Sequence, residues 1–217
     1  MHKIKQDISS IVERYIQLSL KLNPLLTDTT SRCTNMFIGS KVLTSPGTLG
    51  FLFLFNTRLF SITQATLLYR GSEHGWRFSD FHQRCDGKAP TLVLMKCNNR
   101  VCGGFSTINW DATEGWLTKE HDEQAFLFSV DLRKCFYPKT YERVSPKRKY
   151  LGPAFGVNVL SLIDEPMNGE KKGVSILYED AYMMTPDEAG RSPLTGAGKE
   201  SEYRFTCTEC EVYSIKY

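Results

Sequence analysis

The sequence predicts an α+β protein: a two-layer antiparallel β-sandwich flanked by short helices, with an N-terminal amphipathic helix. Three observations lead there. From Thr66 onward, short apolar runs bounded by Gly, Asn, Asp or Pro recur along the chain, as strands separated by turns do. The chain holds 13 Phe and 10 Tyr, side chains that suit sheets packed on each other. Long helical periodicity is confined to one stretch, Lys3 to Leu22.

In that stretch Ile4, Ile8, Ile11, Val12, Tyr15 and Ile16 recur at helical spacing, with Lys5, Asp7, Glu13 and Arg14 between them. Asn23-Pro24 is expected to stop the helix. Two uses are open. The helix lies on the domain's own sheet, or Ile8, Val12 and Tyr15 face a partner's groove or coiled coil. Leu25 to Thr34 reads as a polar, Thr-rich connector, so residues 1–35 are taken as helix plus connector and 36–217 as one domain. Met36 to Leu43 is a short strand or a helix lead-in. The run LGFLFLF, Leu49 to Phe55, is too short for pattern alone to separate buried helix from buried strand.

Thr66 to Arg70 is a β-prone run, and Gly71 and Gly75 frame a turn. Phe78, Phe81, His82 and Cys85 fall on one face of a short helix that Ser79 or Asp80 caps and Asp86-Gly87 ends. Thr91 to Cys97 is a buried strand, Asn98-Asn99-Arg100 a hairpin loop, and Val101 to Trp110 the return. Gly103-Gly104 within it marks a bulge or a close approach to the backbone. Ala125 to Leu132 is a central strand, Ala154 to Ile163 a strand pair or bulged strand, Asp164 to Gly173 a turn, and Val174 to Tyr178 a strand. Met183 to Glu202 reads as a long exposed loop, and Tyr203 to Ile215 as the closing strand.

Length and composition bound the function. A chain of 217 residues can bury a sizeable single core. A net charge of +3 gives no general attraction to nucleic acid or membrane. No run of some 18 apolar residues is present to span a bilayer, and MHKIKQDISS lacks the apolar centre of a signal peptide. Seven cysteines without framework spacing read as free thiols in a reducing compartment, hence the cytoplasm or a cilium.

The candidate chemistry is sparse. Cys207-Thr-Glu-Cys210 has the spacing of half a zinc site, but no second pair exists, and residues three apart on an extended strand are expected on opposite faces. His82 and Cys85 share a helical face and could form a nucleophile pair, but they share it with Phe78 and Phe81, which favours a buried neutral thiol. His121 stands in Lys119-Glu-His-Asp-Glu123, a charged run expected to be solvated. Gly196-Ala-Gly198-Lys199 fails as a phosphate loop: its first glycine would fall at Pro193, and Glu200 replaces the magnesium-binding hydroxyl. Lys134 to Tyr150 is the one basic stretch. Such a run is most often a solvated loop; as a functional surface, Lys139, Arg143, Lys147, Arg148 and Lys149 with the interleaved Tyr and Phe would bind RNA or, favoured because the rest of the chain is nearly neutral, meet an acidic protein surface. No cofactor, metal or catalytic constellation is expected.

One resemblance is spread over the chain. Leu67-Leu68-Tyr69-Arg70, Gly75-Trp76, Phe81-His82, Cys85-Asp86, Pro90-Thr91-Leu92, Gly103-Gly104-Phe105, Phe126-Leu127-Phe128-Ser129, Phe155-Gly156 and Glu211-Val212-Tyr213 stand in an order and spacing that resembles the TLDc domain of the oxidation-resistance and V-ATPase-regulator proteins. The resemblance runs from about Ser40 to Tyr217, so 36–217 is read as the TLDc-like domain. It implies that Leu49 to Phe55 is helical. It also implies a non-catalytic protein-interaction domain that binds or regulates a V-type proton ATPase and is associated with oxidative-stress protection. No catalytic residue is carried over. Two alternatives stand beside it. One is a structural subunit of a large assembly such as a ciliary axoneme, gripping acidic surfaces with Lys3–Leu22 and the basic stretch. The other is a thiol-dependent peroxide-scavenging enzyme using Cys85 or Cys207 and Cys210.

Overall fold

The structure is a computed structural model. It describes residues 14, 18, 21–22, 24–43, 49–56, 59, 61–112, 122–139, 149–156, 159–163, 171–176, 182–185, 188 and 192–217. Among these, nine strands form one antiparallel sheet with a few short helices, an α+β arrangement. The strands are β1 (Gln64–Arg70), β2 (Thr91–Cys97), β3 (Arg100–Ser106), β4 (Phe126–Ser129), β5 (Lys134–Phe136), β6 (Ala154–Phe155), β7 (Leu160–Leu162), β8 (Lys171–Val174) and β9 (Arg204–Lys216). The helices are α1 (residues 24–36), α2 (Gly50–Phe55), α3 (Gly71–His74) and α4 (Phe78–Cys85).

The closing strand organises the sheet. β9 pairs with β2 along one edge, while its other edge is divided: β8 takes Arg204 to Cys207, and β1 takes Glu211 to Lys216. The sheet therefore forks at β9 and encloses apolar side chains on both faces. β2 is buried on both: Val93, Met95 and Cys97 join one cluster with Trp110, Phe155 and Cys210, and Leu92 and Leu94 join another with Phe37, Phe53, Phe105 and Phe126. That is why Thr91 to Cys97 is nearly continuous in apolar residues instead of alternating. The turn after it has two residues, with Asn98 at φ +52, a conformation asparagine tolerates better than most.

Several expectations need correction. Residues 25–34 are not a polar connector. They lie in α1, which continues past Pro24 and buries Thr29 and Cys33. Threonine has a poor helix propensity, but tertiary burial of one face decides here. β8 runs Lys171–Val174, so the last three residues of the stretch read as a turn are strand, while of the strand expected at Val174 to Tyr178 only Val174 pairs among the described residues. The loop before β9 is not wholly exposed, because Ser192, Leu194, Thr195 and Ala197 are buried. α4 is not capped by the side chain of Ser79; instead the Asp80 carboxylate accepts a hydrogen bond from the Arg77 backbone N–H at 3.0 Å. Leu49–Phe55 is largely helical, as the resemblance implied.

Candidate functional site

The candidate site residues fall into a thiol-rich interior, a buried ionic cluster and a surface. The interior comes first, since any enzyme reading depends on it. α4 turns Phe78, Phe81, His82 and Cys85 inward, as its spacing predicts. Phe81 packs edge-on against Tyr69 and Trp110. His82 Nδ1 is bound to Asp86 Oδ1 at 2.8 Å, and the other Asp86 oxygen accepts from the Ala112 N–H at 3.0 Å. This triangle fixes the end of α4 against the chain after Trp110. Cys85 is fully buried, and its thiol is pushed well above the ordinary range by burial first and by Asp86 second. A nucleophilic cysteine needs the opposite shift.

Cys207 and Cys210 do not point to opposite faces. Lys96 pairs with Glu209 and Cys97 with Cys207, so Thr208 is an extra residue in β9. Such a bulge shifts the side-chain alternation by one. It brings both thiols into the cluster that already holds Cys85, Cys97 and Cys102. The sulfurs of Cys97 and Cys102 are 3.8 Å apart, and the Cys207 thiol donates to the Glu209 carbonyl at 3.1 Å. Burial raises the thiols of Cys97 and Cys210. No group of three or more His, Cys, Asp or Glu side chains placed to hold a metal occurs among the described residues.

Burial thus favours the protonated thiol at Cys85, Cys97 and Cys210. Burial also lifts the Cys33 thiol, to about 12. A group whose folded pKa is raised stabilises the fold below its unfolded pKa and loses that contribution as pH climbs through the folded value. Stability is therefore expected to fall from about pH 9 upward, which denaturant unfolding at pH 8, 9 and 10 would measure. Labelling with a maleimide at neutral pH should modify Cys135 first, since it alone is not buried; mass spectrometry of the modified protein reads this directly.

The ionic cluster was not foreseen from the sequence. Glu211 is 0% exposed, yet four donors meet its two oxygens: Arg70 Nε at 2.7 Å, the Lys41 N–H at 2.8 Å, Ser40 Oγ at 2.6 Å and the Tyr213 hydroxyl at 2.9 Å. Arg70 also donates to Glu73 and to the Gly39 carbonyl, at 2.9 and 2.8 Å. Hydrogen bonds from Lys41 and Arg70 hold the Glu73 carboxyl below its ordinary value. The cluster ties the turn after α1 to β1 and β9. Every donor to Glu211 is spent on structure, so it is a clasp and not an acid–base centre.

Asp122 repeats the pattern. It stands in the charged run around His121, which reads as solvated, but Asp122 is buried. Its carboxylate accepts from Ser106 Oγ, the Thr107 N–H, Thr107 Oγ1 and the Gln124 N–H. His121 lies outside the described residues. Lys171 is also buried; it donates to the Trp76 carbonyl and lies 3.6 Å from the centre of the Phe78 ring.

The surface residues are placed only in part. Lys139 is exposed, and Lys149 stands over the ring of Tyr150 at 4.8 Å. Arg143, Lys147 and Arg148, together with Ile8, Val12 and Tyr15, lie outside the described residues. At the start of the basic stretch, Lys134 is ion-paired to Glu188 at 2.6 Å. Among the described residues no helix is long and apolar enough to cross a membrane.

Comparison with known proteins adds a family. The sequence profile of the TLDc domain matches residues 37–216. The chain is 44% identical over 52 residues to TBC1 domain family member 24 of Xenopus tropicalis, covering 24% of this chain and 9% of that protein. It is 33% identical over 112 residues to the GTPase-activating protein skywalker of Drosophila melanogaster, covering 43% of this chain and 19% of that protein. The chain thus matches less than a fifth of the length of these curated relatives.

Proposed function

The chain belongs to the TLDc domain family, and from that membership we propose that it is a non-catalytic, cytoplasmic protein-interaction domain that binds and regulates a V-type proton ATPase. We further propose that its association with oxidative-stress protection runs through this contact and not through chemistry of its own. The observation that carries the non-catalytic part is the state of the interior. The fold turns Cys85, Cys97, Cys102, Cys207 and Cys210 inward and raises at least three of these thiols, so none of those three is presented as an ionised nucleophile. The interaction part rests on the family, whose domains generally mediate protein contacts.

The test has two arms. The purified chain, tagged and incubated with soluble pump subunits, is expected to retain them and to change their rate of ATP hydrolysis. The purified chain alone is expected to consume no hydrogen peroxide above buffer. Failure to retain any subunit would remove the pump from the proposal. Peroxide turnover lost on Cys85→Ser or Cys210→Ser would replace it with a thiol enzyme.

A further inference from the structure

α3 ends on a histidine that the fold uses as a hydrogen-bond acceptor. His74 is partly buried, and its Nδ1 accepts the Arg70 backbone N–H at 2.9 Å. A backbone N–H can only donate, so Nδ1 is bare and the ring is neutral, with its proton on Nε2. Arg70 is the last residue of β1, and its side chain reaches Glu211, Glu73 and the Gly39 carbonyl. One imidazole nitrogen therefore anchors the backbone of the residue that joins β1, β9 and the turn after α1.

We propose that His74 is an acid-operated release: a proton taken up at Nδ1 breaks the bond to Arg70, and α3, the end of β1 and the turn after α1 loosen together. A protonated Nδ1 is a donor aimed at a donor, so attraction becomes repulsion. The proposal is independent of the pump reading.

The charges around the ring, among the described residues, set when this happens. On its own helix Glu73 favours the cation, but that carboxylate is already shared by Arg70 at 2.9 Å and Lys41 at 3.0 Å. β1 contributes the Arg70 guanidinium and the Tyr69 ring, centred 6.2 Å from the imidazole, whose hydroxyl donates to the Gly75 carbonyl. α4 contributes Arg84. β9 contributes Glu209, which accepts the Ser72 N–H at 3.2 Å, and Glu211, which Arg70 holds. Burial first, then Arg84 and Arg70, outweigh Glu73 and keep the His74 ring below the ordinary histidine range. A base whose folded pKa is depressed stabilises the fold fully above its unfolded value, about 6.5, and loses that contribution as pH falls through the folded one. The release therefore works on mild acidification and leaves the neutral protein latched.

The experiment titrates the whole chain, labelled with nitrogen-15, from pH 7.5 to pH 5 by NMR. At pH 7.5 His74 should show a bare Nδ1 and a protonated Nε2, and its ring should titrate with a midpoint below about 6.5. Over the same interval the hydrogen-exchange protection of the Arg70 amide should fall about tenfold, the equivalent of one lost hydrogen bond. Protection of the Lys41 amide, which donates to Glu211, should fall with it. His74→Asn keeps a short acceptor that does not titrate, so its protection should hold across the interval. His74→Leu offers no acceptor and should be poorly protected at both ends. A proton on Nδ1 at pH 7.5, or a His74→Asn protein whose Arg70 amide loses protection as the native one does, overturns the proposal. An Arg70 amide that opens while Lys41 stays protected overturns the link to the turn after α1.

Discussion

Replacing Glu211 with alanine is expected to destabilise the protein by about 3–5 kcal/mol, the range seen when one partner of a buried ion pair is removed. At roughly 2–4 °C per kcal/mol for a chain of this size, the melting temperature should drop by roughly 6–20 °C. The reason lies in what is left behind. Arg70 Nε, the Lys41 N–H, Ser40 Oγ and the Tyr213 hydroxyl all lose their acceptor, and Arg70 is itself only 8% exposed. Arg70 keeps Glu73 at 2.9 Å, but its Nε loses the fully buried carboxylate, and removing one partner of a buried pair costs more than the pair contributed. This gives a second, sharper expectation. The double variant Arg70→Met with Glu211→Leu should be less destabilised than Glu211→Ala, because no charge remains stranded. Thermal unfolding of the three proteins decides it. A loss below about 1 kcal/mol for Glu211→Ala would mean that the clasp is not buried as described.

Gly104→Leu is expected to prevent folding to the native sheet, and Gly104→Ala to cost about 1–3 kcal/mol. Gly104 lies on β3 with the ring of Phe155 directly over it. A β-carbon there would stand 2.5 Å from one ring atom and 2.7 and 2.8 Å from two others. Phe155 cannot swing aside without disturbing Trp110, whose ring centre is 5.6 Å away. The two sites should therefore couple. Phe155→Leu alone leaves a cavity, but Gly104→Ala should cost less in that background than in the native one, and a double-mutant cycle by urea denaturation measures the difference. At Gly103 the obstruction is the Val93 carbonyl of the neighbouring strand, a backbone atom that has no rotamer to change. Gly103→Ala should accordingly be worse than Gly104→Ala, and no second-site side-chain change should rescue it. Equal effects at the two glycines would contradict this account.

These glycines also show what could be read in advance. Gly103-Gly104 inside an apolar strand announces either a bulge or a close approach. The β2–β3 register runs unbroken from Thr91–Ser106 to Cys97–Arg100, so close approach is the answer. The one-sided placement of Phe78, Phe81, His82 and Cys85 was legible because a helix repeats every 3.6 residues, and the closing strand was legible from its alternation. The position of β8 was not. Lys171-Lys172-Gly173 carries no strand signal, and it pairs because β9 offers an edge and Phe205 covers Gly173.

By itself the sequence determined the elements with strong local periods, the antiparallel α+β class and the family resemblance. Each is written in neighbouring residues or in the order of motifs. Only the tertiary structure decided where charge is buried and which way the thiols face. Glu211 meets Ser40 and Lys41 across some 170 positions of chain, a separation no local pattern encodes. One extra residue at Thr208 turns Cys207 and Cys210 to the same side. It lies where the partner on the other edge of β9 changes, from β8 up to Cys207 to β1 from Glu211, and that change of partner exists only once the sheet is assembled.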